Sequence, residues 1–176
     1  MSFLSPGAGC GLTSIVLGDI CDCNVLAVDK ASVLDLLRDN IASNCSSSKS
    51  SSTSGVKGSG REVKTRCFDW NTALQFTRES IRETLQWSDP GTPDSTSTTE
   101  TTTTGGGDCS YHFPEMIVLS DCFYQYDAVE PVLKLLDAMA GASTFILVAN
   151  ELRTAFDEFL NKMRNQERQW KFEVST

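Results

Sequence analysis

Apolar residues in this sequence occur either in short continuous runs or at helical spacing. Three runs, at residues 25–29, 116–120 and 144–149, predict strands, and the last two of them fit parallel strands that are buried on both faces. Residues 62–67 (EVKTRC) alternate enough to predict a half-buried strand. Runs of this length between polar segments are typical of a parallel sheet with helices on its faces.

Helical spacing appears between those runs. Apolar side chains recur every three or four residues within 32–44, 129–140 and 155–168, and a short apolar segment at 12–17 follows a glycine-rich turn. Residues 72–87 have a more irregular pattern that also predicts a helix. The alternation of strands and helices predicts an α/β fold with a doubly wound, mostly parallel sheet.

Two polar stretches interrupt this pattern. Residues 45–60 are mostly Ser with Lys and Gly, and residues 88–110 are rich in Thr, Ser and Gly. Segments of this composition bury too little apolar surface to offset the entropy of ordering them. We expect both to be disordered insertions in a single domain that covers residues 1–176, because the apolar segments around them are too short for separate cores.

Charge and cysteine content narrow the functional classes. The chain has 15 Lys and Arg against 23 Asp and Glu, a net charge of −8, so it lacks the basic surface by which proteins bind nucleic acid. No apolar run is long enough to predict a membrane span. Seven cysteines without a secretory leader favour reduced thiols in the cytoplasm or the nucleus. Their spacing, with one histidine in the chain, predicts no metal site.

The sharpest local feature is a glycine-rich turn at residues 7–11 (GAGCG), which precedes a short helix and a strand that ends at Asp29. Glycines allow a backbone to approach a ligand closely. An acid at the end of the second strand is placed to accept ribose hydroxyls. The third glycine is Gly11, one place too early for a dinucleotide motif, which disfavours a nicotinamide-dependent oxidoreductase. A structural role for both features remains an alternative.

Two more strand ends carry polar or aromatic groups. Phe68, Asp69 and Trp70 follow the third predicted strand, and residues 120–124 (SDCFY) follow the fourth. The carboxyl ends of parallel strands meet at one edge of a sheet, where ligands bind. The combination predicts a small-molecule site at that edge.

Together these segments resemble a known family, the seven-strand S-adenosylmethionine-dependent methyltransferases, and within it the family 16 protein-lysine methyltransferases. The similar segments are GAGCGLTSIVLG, NVLAVDKASVLDLLRDNIASN, CFDW, VLSDCFYQYDAVEPVLKLL and ELRTAFDEF. They are most similar to the subgroup that methylates the valosin-containing AAA ATPase. The resemblance implies a Rossmann-like fold, S-adenosyl-L-methionine as the cofactor, and a lysine of a protein as the methyl acceptor.

The resemblance also implies roles for individual residues. Those expected to bind the cofactor are Gly7, Ala8 and Gly9 under its methionine part, Asp29 at its ribose, Trp70 at its adenine, and Ser120 through its backbone. Asp121 and Tyr124 form the DxxY motif of the family and are expected to shape the lysine channel as the catalytic residues. Core packing of Trp70 and Tyr124, and a helix cap at Asp121, are the structural alternatives. Glu151 and Arg153 belong to a family segment near the mouth of the site.

Two departures from the family pattern bear on activity. Ser5 stands where the family has an acid before the glycine turn, and the first strand is expected to be clipped and the last strand missing. Residues 170–174 (WKFEV) predict a sixth strand. We therefore expect marginal stability and weak cofactor affinity. The main hypothesis is a protein-lysine N-methyltransferase, and the alternative is a catalytically inactive methyltransferase-like protein that acts as a binding module.

Overall fold

The computed structural model describes residues 1–21, 23–45, 62–85, 113–165 and Lys171. Its five strands are β1 (Ser2–Pro6), β2 (Asn24–Asp29), β3 (Val63–Cys67), β4 (Met116–Ser120) and β5 (Phe145–Ala149). Its five α-helices are α1 (Leu12–Ile20), α2 (Ala31–Cys45), α3 (Arg78–Leu85), α4 (Val129–Met139) and α5 (Thr154–Asn165). Apart from Cys45 and Lys171, the predicted insertions and the predicted sixth strand lie outside the described residues.

The five strands form one parallel sheet in the order β3-β2-β1-β4-β5. Each predicted run forms a strand with ends within one residue of those expected, which confirms the α/β prediction. The central strand β1 pairs with β2 over five positions, from Ser2 beside Asn24 to Pro6 beside Val28. Its pairing with β4 extends over two positions only. The strand β1 is as long as β3, β4 and β5, at five residues, so only its pairing with β4 is short.

Helices cover both faces of the sheet. On one face, α1 and α2 pack over β1 to β3, where Gly18 of α1 lies so close to Val63 that an added Cβ would stand 2.8 Å from its methyl group. On the other face, α3, α4 and α5 bury the main core, which includes Leu4, Ile117 and Phe123. Burial on both faces explains the apolar runs of β2 and β4.

Within the predicted helix 72–87, the described residues 72–85 do not form a single helix. A 3₁₀ helix covers Trp70–Gln75, and α3 begins at Arg78. Thr77 lies between them, and its hydroxyl accepts a hydrogen bond from the backbone N–H of Ser80 at 3.1 Å. A threonine oxygen in that position caps the start of a helix, so the break is encoded locally.

The prediction that β5 is buried on both faces is wrong for the described chain. Phe145 is 58% exposed and Leu147 is 45% exposed. Both point to the face that carries α1 and α2, and those helices lie over β1 to β3 rather than over β5. An apolar run identifies a strand but does not show whether each face is covered.

The order of strands reverses between β1 and β4, because β1 is followed in the chain by β2 on one side and β4 lies on the other. In an open parallel sheet such a reversal leaves a crevice at the carboxyl ends of the strands. Among the described residues, no helix is long and apolar enough to cross a membrane.

Candidate functional site

A cavity of about 520 Å³ lies at the carboxyl edge of the sheet, between the segments that follow β1, β2, β3 and β4. Its size is typical of small-molecule sites. All eight residues that we predicted for the site line it: Gly7, Ala8, Gly9, Asp29, Trp70, Ser120, Asp121 and Tyr124. Four segments that are distant in sequence thus meet at one cavity.

The glycine turn after β1 has the backbone conformation that requires glycine. Gly7, Gly9 and Gly11 have positive φ angles of 64°, 57° and 87°. The N–H of Ala8 donates to the carbonyl of Val28 at 3.1 Å, which ties the turn to β2. Residues other than glycine rarely adopt such φ values, so the three glycines allow the turn to take this shape.

Asp29 holds the same turn through its side chain. Its Oδ2 accepts from the N–H of Gly9 at 2.7 Å, and its Oδ1 accepts from the N–H of Lys30 at 2.8 Å. A carboxylate has about four acceptor positions, so each oxygen can still accept a further hydrogen bond from a ligand. Asp29 therefore combines a structural role with free acceptor capacity at the cavity.

Trp70 packs directly against the glycine turn. A Cβ added to Gly7 would stand 2.3 Å from Cη2 of the indole, which shows that only glycine fits beneath this ring. Trp70 is half-buried and touches the main core, yet it also lines the cavity. Its neighbour Asp69 accepts from the N–H of Asn71 at 3.0 Å and caps the 3₁₀ helix. Trp70 therefore packs against the core with one part of its ring system and faces the cavity with another.

The turn after β4, residues 121–124, presents an acid and an aromatic side chain to the cavity. Asp121 has a φ of 50°, and Tyr124 is 52% exposed. Phe123 points into the core and is 0% exposed, whereas Cys122, at 2% exposure, lines the floor of the cavity. The next described helix begins after Gln125, so Asp121 caps no helix there, and Tyr124 is not a core residue.

Cys122 lies beneath the cavity. Its thiol approaches the carbonyls of Pro6 and Ser120, each at 3.6 Å. Burial raises the pKa of Cys122 to about 12, and the nearby charges of Asp29 and Asp121 act in the same direction. A thiol in this environment stays protonated and unreactive at neutral pH.

Glu151 and Arg153 lie beside the site and do not line its cavity. The Nε of Arg153 donates to the Glu151 carboxylate at 2.8 Å. This hydrogen bond and the charge of Glu151 raise the pKa of Arg153, with a smaller contribution from Asp121. The pair is therefore within electrostatic range of the turn at residues 121–124.

Two residues of the lining, Ser5 and Lys30, were not predicted as site residues, although Ser5 was noted in the sequence as a departure from the family pattern. Ser5 is 2% exposed and lines the cavity. Among the described residues that line it, Lys30 is the one base against three acids, Asp29, Asp69 and Asp121. The position of Ser5 could have predicted this, because it lies next to the last residue of β1, just before the glycine turn. Nothing local marks Lys30. Among the described residues, no group of three or more side chains suitable for a metal ion occurs.

A family model and several solved structures relate this chain to known proteins. A family model described as lysine methyltransferase matches residues 61–166, more than half of the chain. No curated protein matches the sequence.

Solved structures that are similar include N,N-8-amino-8-demethyl-D-riboflavin dimethyltransferase from Streptomyces davawensis, at 16% identity and a TM-score of 0.45. They also include the S-adenosylmethionine-dependent methyltransferase SibL, at 16% and 0.44, and human N-acetylserotonin methyltransferase in complex with SAM, at 11% and 0.41. Each comparison covers 84% of this chain but only 28% to 31% of the other chain. The chain therefore spans about a third of the length of these proteins, and similarity at this level does not bear on substrate.

Proposed function

We propose that this chain, which belongs to the lysine methyltransferase family, transfers a methyl group from S-adenosylmethionine to the side-chain amine of a lysine in a protein. The observation that carries the proposal is the convergence of eight predicted site residues on one cavity at the carboxyl edge of the sheet. When bound, S-adenosylmethionine supplies an activated methyl group and is left as S-adenosylhomocysteine.

The residues around the cavity fit such a cofactor. The turn at residues 7–9 offers backbone at close range, and Gly9 has open space where a Cβ would stand. Asp29 retains acceptor capacity for ribose hydroxyls, and Trp70 offers an aromatic edge for a base. Ser120 is exposed to the cavity at the end of β4. These residues would hold the cofactor across the reversal in strand order, where doubly wound folds bind nucleotides.

The acceptor side of the cavity is formed by Asp121 and Tyr124. A lysine arrives as an ammonium ion, because its unperturbed pKa is about 10.4. The exposed carboxylate of Asp121 attracts that charge, and the ring of Tyr124 stabilises a cation near its face. Their task is to orient the amine, which must lose a proton to solvent before it can act as a nucleophile.

The charge of the lining supports a cationic acceptor. Three acids and one base lie in the described part of the lining, and the chain carries a net charge of −8. A lysine on a basic surface would be attracted to such a site. The similarity of the sequence motifs to one subgroup makes an AAA ATPase of the valosin-containing type the partner that we propose to test first.

A non-catalytic binding module is the second candidate, and Ser5 favours it. The position before the glycine turn carries a buried hydroxyl instead of the carboxylate of the family. A chain that had lost catalysis could still bind S-adenosylhomocysteine and act through protein contacts.

Two measurements separate these functions. Isothermal titration with S-adenosylhomocysteine tests the cofactor site, and Asp35→Ala on the exposed side of α2 is the control for Asp29→Ala. An array of synthetic lysine-centred peptides with radiolabelled S-adenosylmethionine then tests transfer, with arginine-centred peptides as the control. Label on lysine peptides supports the enzyme. Binding without label on any peptide or on the AAA ATPase favours the binding module, and a folded chain that does not bind contradicts both.

We propose the cytoplasm or the nucleus as the compartment. The six cysteines in the described part of the chain, Cys10, Cys21, Cys23, Cys45, Cys67 and Cys122, are all free thiols. Reduced thiols are typical of those compartments. Localisation of a tagged full-length chain by microscopy checks this, and a secreted product would contradict it.

A further inference from the structure

One side chain outside the cavity connects the two loops on the acceptor side. Asn150 follows β5 and is half-buried. Its Oδ1 accepts a hydrogen bond from the backbone N–H of Phe123 at 3.0 Å. Its Nδ2 donates to the carbonyl of Glu151 at 2.8 Å. The side-chain oxygen of Asn150 therefore bonds to the turn at residues 121–124, and its side-chain nitrogen bonds to the loop that carries Glu151.

The turn at residues 121–124 needs this support. Asp121 adopts a positive φ, which is costly for a residue other than glycine and persists only where the surroundings hold it. Its own N–H donates to the carbonyl of Ala149 at 2.8 Å. Phe123 anchors the turn from below, stacked on Phe159 at 4.2 Å between ring centroids. Its N–H lies in a part-buried region where a lost partner would be costly.

We propose that Asn150 is a positioning residue of the acceptor side, a role that rests on the proposed function. It holds the backbone between Asp121 and Tyr124 in the conformation that presents both side chains to the cavity. Asn150 does not line the cavity, so it acts through the turn and not on a ligand. The cofactor side is held separately, by Asp29 on Gly9 and by the amide of Asn40, which donates to the carbonyl of Cys10 at 2.8 Å.

Sinefungin provides a test that needs no protein substrate. This analogue of S-adenosylhomocysteine carries an ammonium group where the cofactor carries its methyl, so its affinity relative to S-adenosylhomocysteine reports the position of Asp121. For Asn150→Leu, which keeps the side-chain volume but neither hydrogen bond, we expect sinefungin affinity to fall about ten-fold and S-adenosylhomocysteine affinity to change less than about two-fold. Asn40→Leu is the matched control, because it removes a side-chain hydrogen bond to the glycine turn. It should lower the affinity for both ligands equally.

Asn150→Asp keeps the acceptor and tests rescue. In amide hydrogen exchange, the N–H of Phe123 should stay protected in the wild type and in Asn150→Asp, and should lose protection in Asn150→Leu. Equal loss of both ligands in Asn150→Leu, or a Phe123 N–H that stays protected in it, would overturn the role of Asn150 alone. A folded wild type that binds neither ligand would overturn the proposed function and this role together.

Discussion

Asp29 and Gly9 are twenty residues apart, and the carboxylate of the first accepts the backbone N–H of the second at 2.7 Å. This bond joins the carboxyl end of β2 to the middle of the glycine turn after β1. The residue expected to bind ribose therefore also shapes the turn expected to lie under the methionine part of the cofactor.

Replacing Asp29 tests that double role. Asp29→Ala removes a charge-assisted hydrogen bond to Gly9 and the acceptor for a ligand, so S-adenosylhomocysteine affinity should fall at least about ten-fold. Asp29→Asn keeps one acceptor oxygen and should retain part of the binding. Isothermal titration measures both. Wild-type affinity in Asp29→Ala would contradict the assignment.

Gly7 and Trp70 should be coupled in stability. Gly7→Ala places a methyl group against the indole and keeps a strained φ, so the free energy of unfolding should fall by about 1–3 kcal/mol. Gly9→Ala has a similar φ but open space, and it isolates the cost of φ alone. Denaturant unfolding of both variants, with Trp70→Leu and the double variant Gly7→Ala/Trp70→Leu, measures the coupling. Additive effects would show that the contact does not matter.

The buried thiol of Cys122 predicts a dependence of stability on pH. Its pKa is raised from 9.0 to about 12, so folding favours the protonated thiol. That stabilisation is complete below pH 9 and is lost as the pH rises through about 12, because the unfolded chain ionises first. Between pH 8 and pH 10, the wild type should lose about 1.4 kcal/mol more than Cys122→Ala in urea unfolding. Parallel losses in the two proteins would contradict this.

Ser14 on α1 offers a stabilising substitution. Its hydroxyl is fully buried and has no hydrogen-bond partner among the described residues. Ser14→Ala removes this cost and should raise the free energy of unfolding by about 1 kcal/mol. Thr77→Ala, which removes the cap of α3, should lower it by a similar amount, about 1 kcal/mol. A destabilised Ser14→Ala in thermal unfolding would show that the hydroxyl is satisfied.

Much of the fold follows from local patterns. Residues 116–119 are continuously apolar because this part of β4 is buried on both faces. Residues 129–139 repeat apolar side chains at helical spacing because one side of α4 packs on the sheet. The glycines at 7, 9 and 11 indicated a turn, and the structure gives all three positive φ. Strand ends with polar residues indicated the edge where the cavity lies, since parallel strands place their carboxyl ends together.

Other features depend on which segments meet. No local sequence pattern marks Asn150. Its acceptor oxygen bonds Phe123, which is 27 residues away in the chain, and its donor bonds only the backbone of the next residue, Glu151. Exposure of Phe145 and Leu147 depends on where α1 and α2 lie, not on the composition of β5.

The sequence by itself determined the types and order of the elements, the parallel sheet and the residues at its carboxyl edge, because these follow from periodicity and from chain connectivity. Only the tertiary structure decided that Asp29 bonds Gly9, that Trp70 covers Gly7 and that Asn150 holds the turn at residues 121–124. Such contacts require distances of a few ångströms between segments far apart in the chain, and those distances are set by the packing of the whole domain.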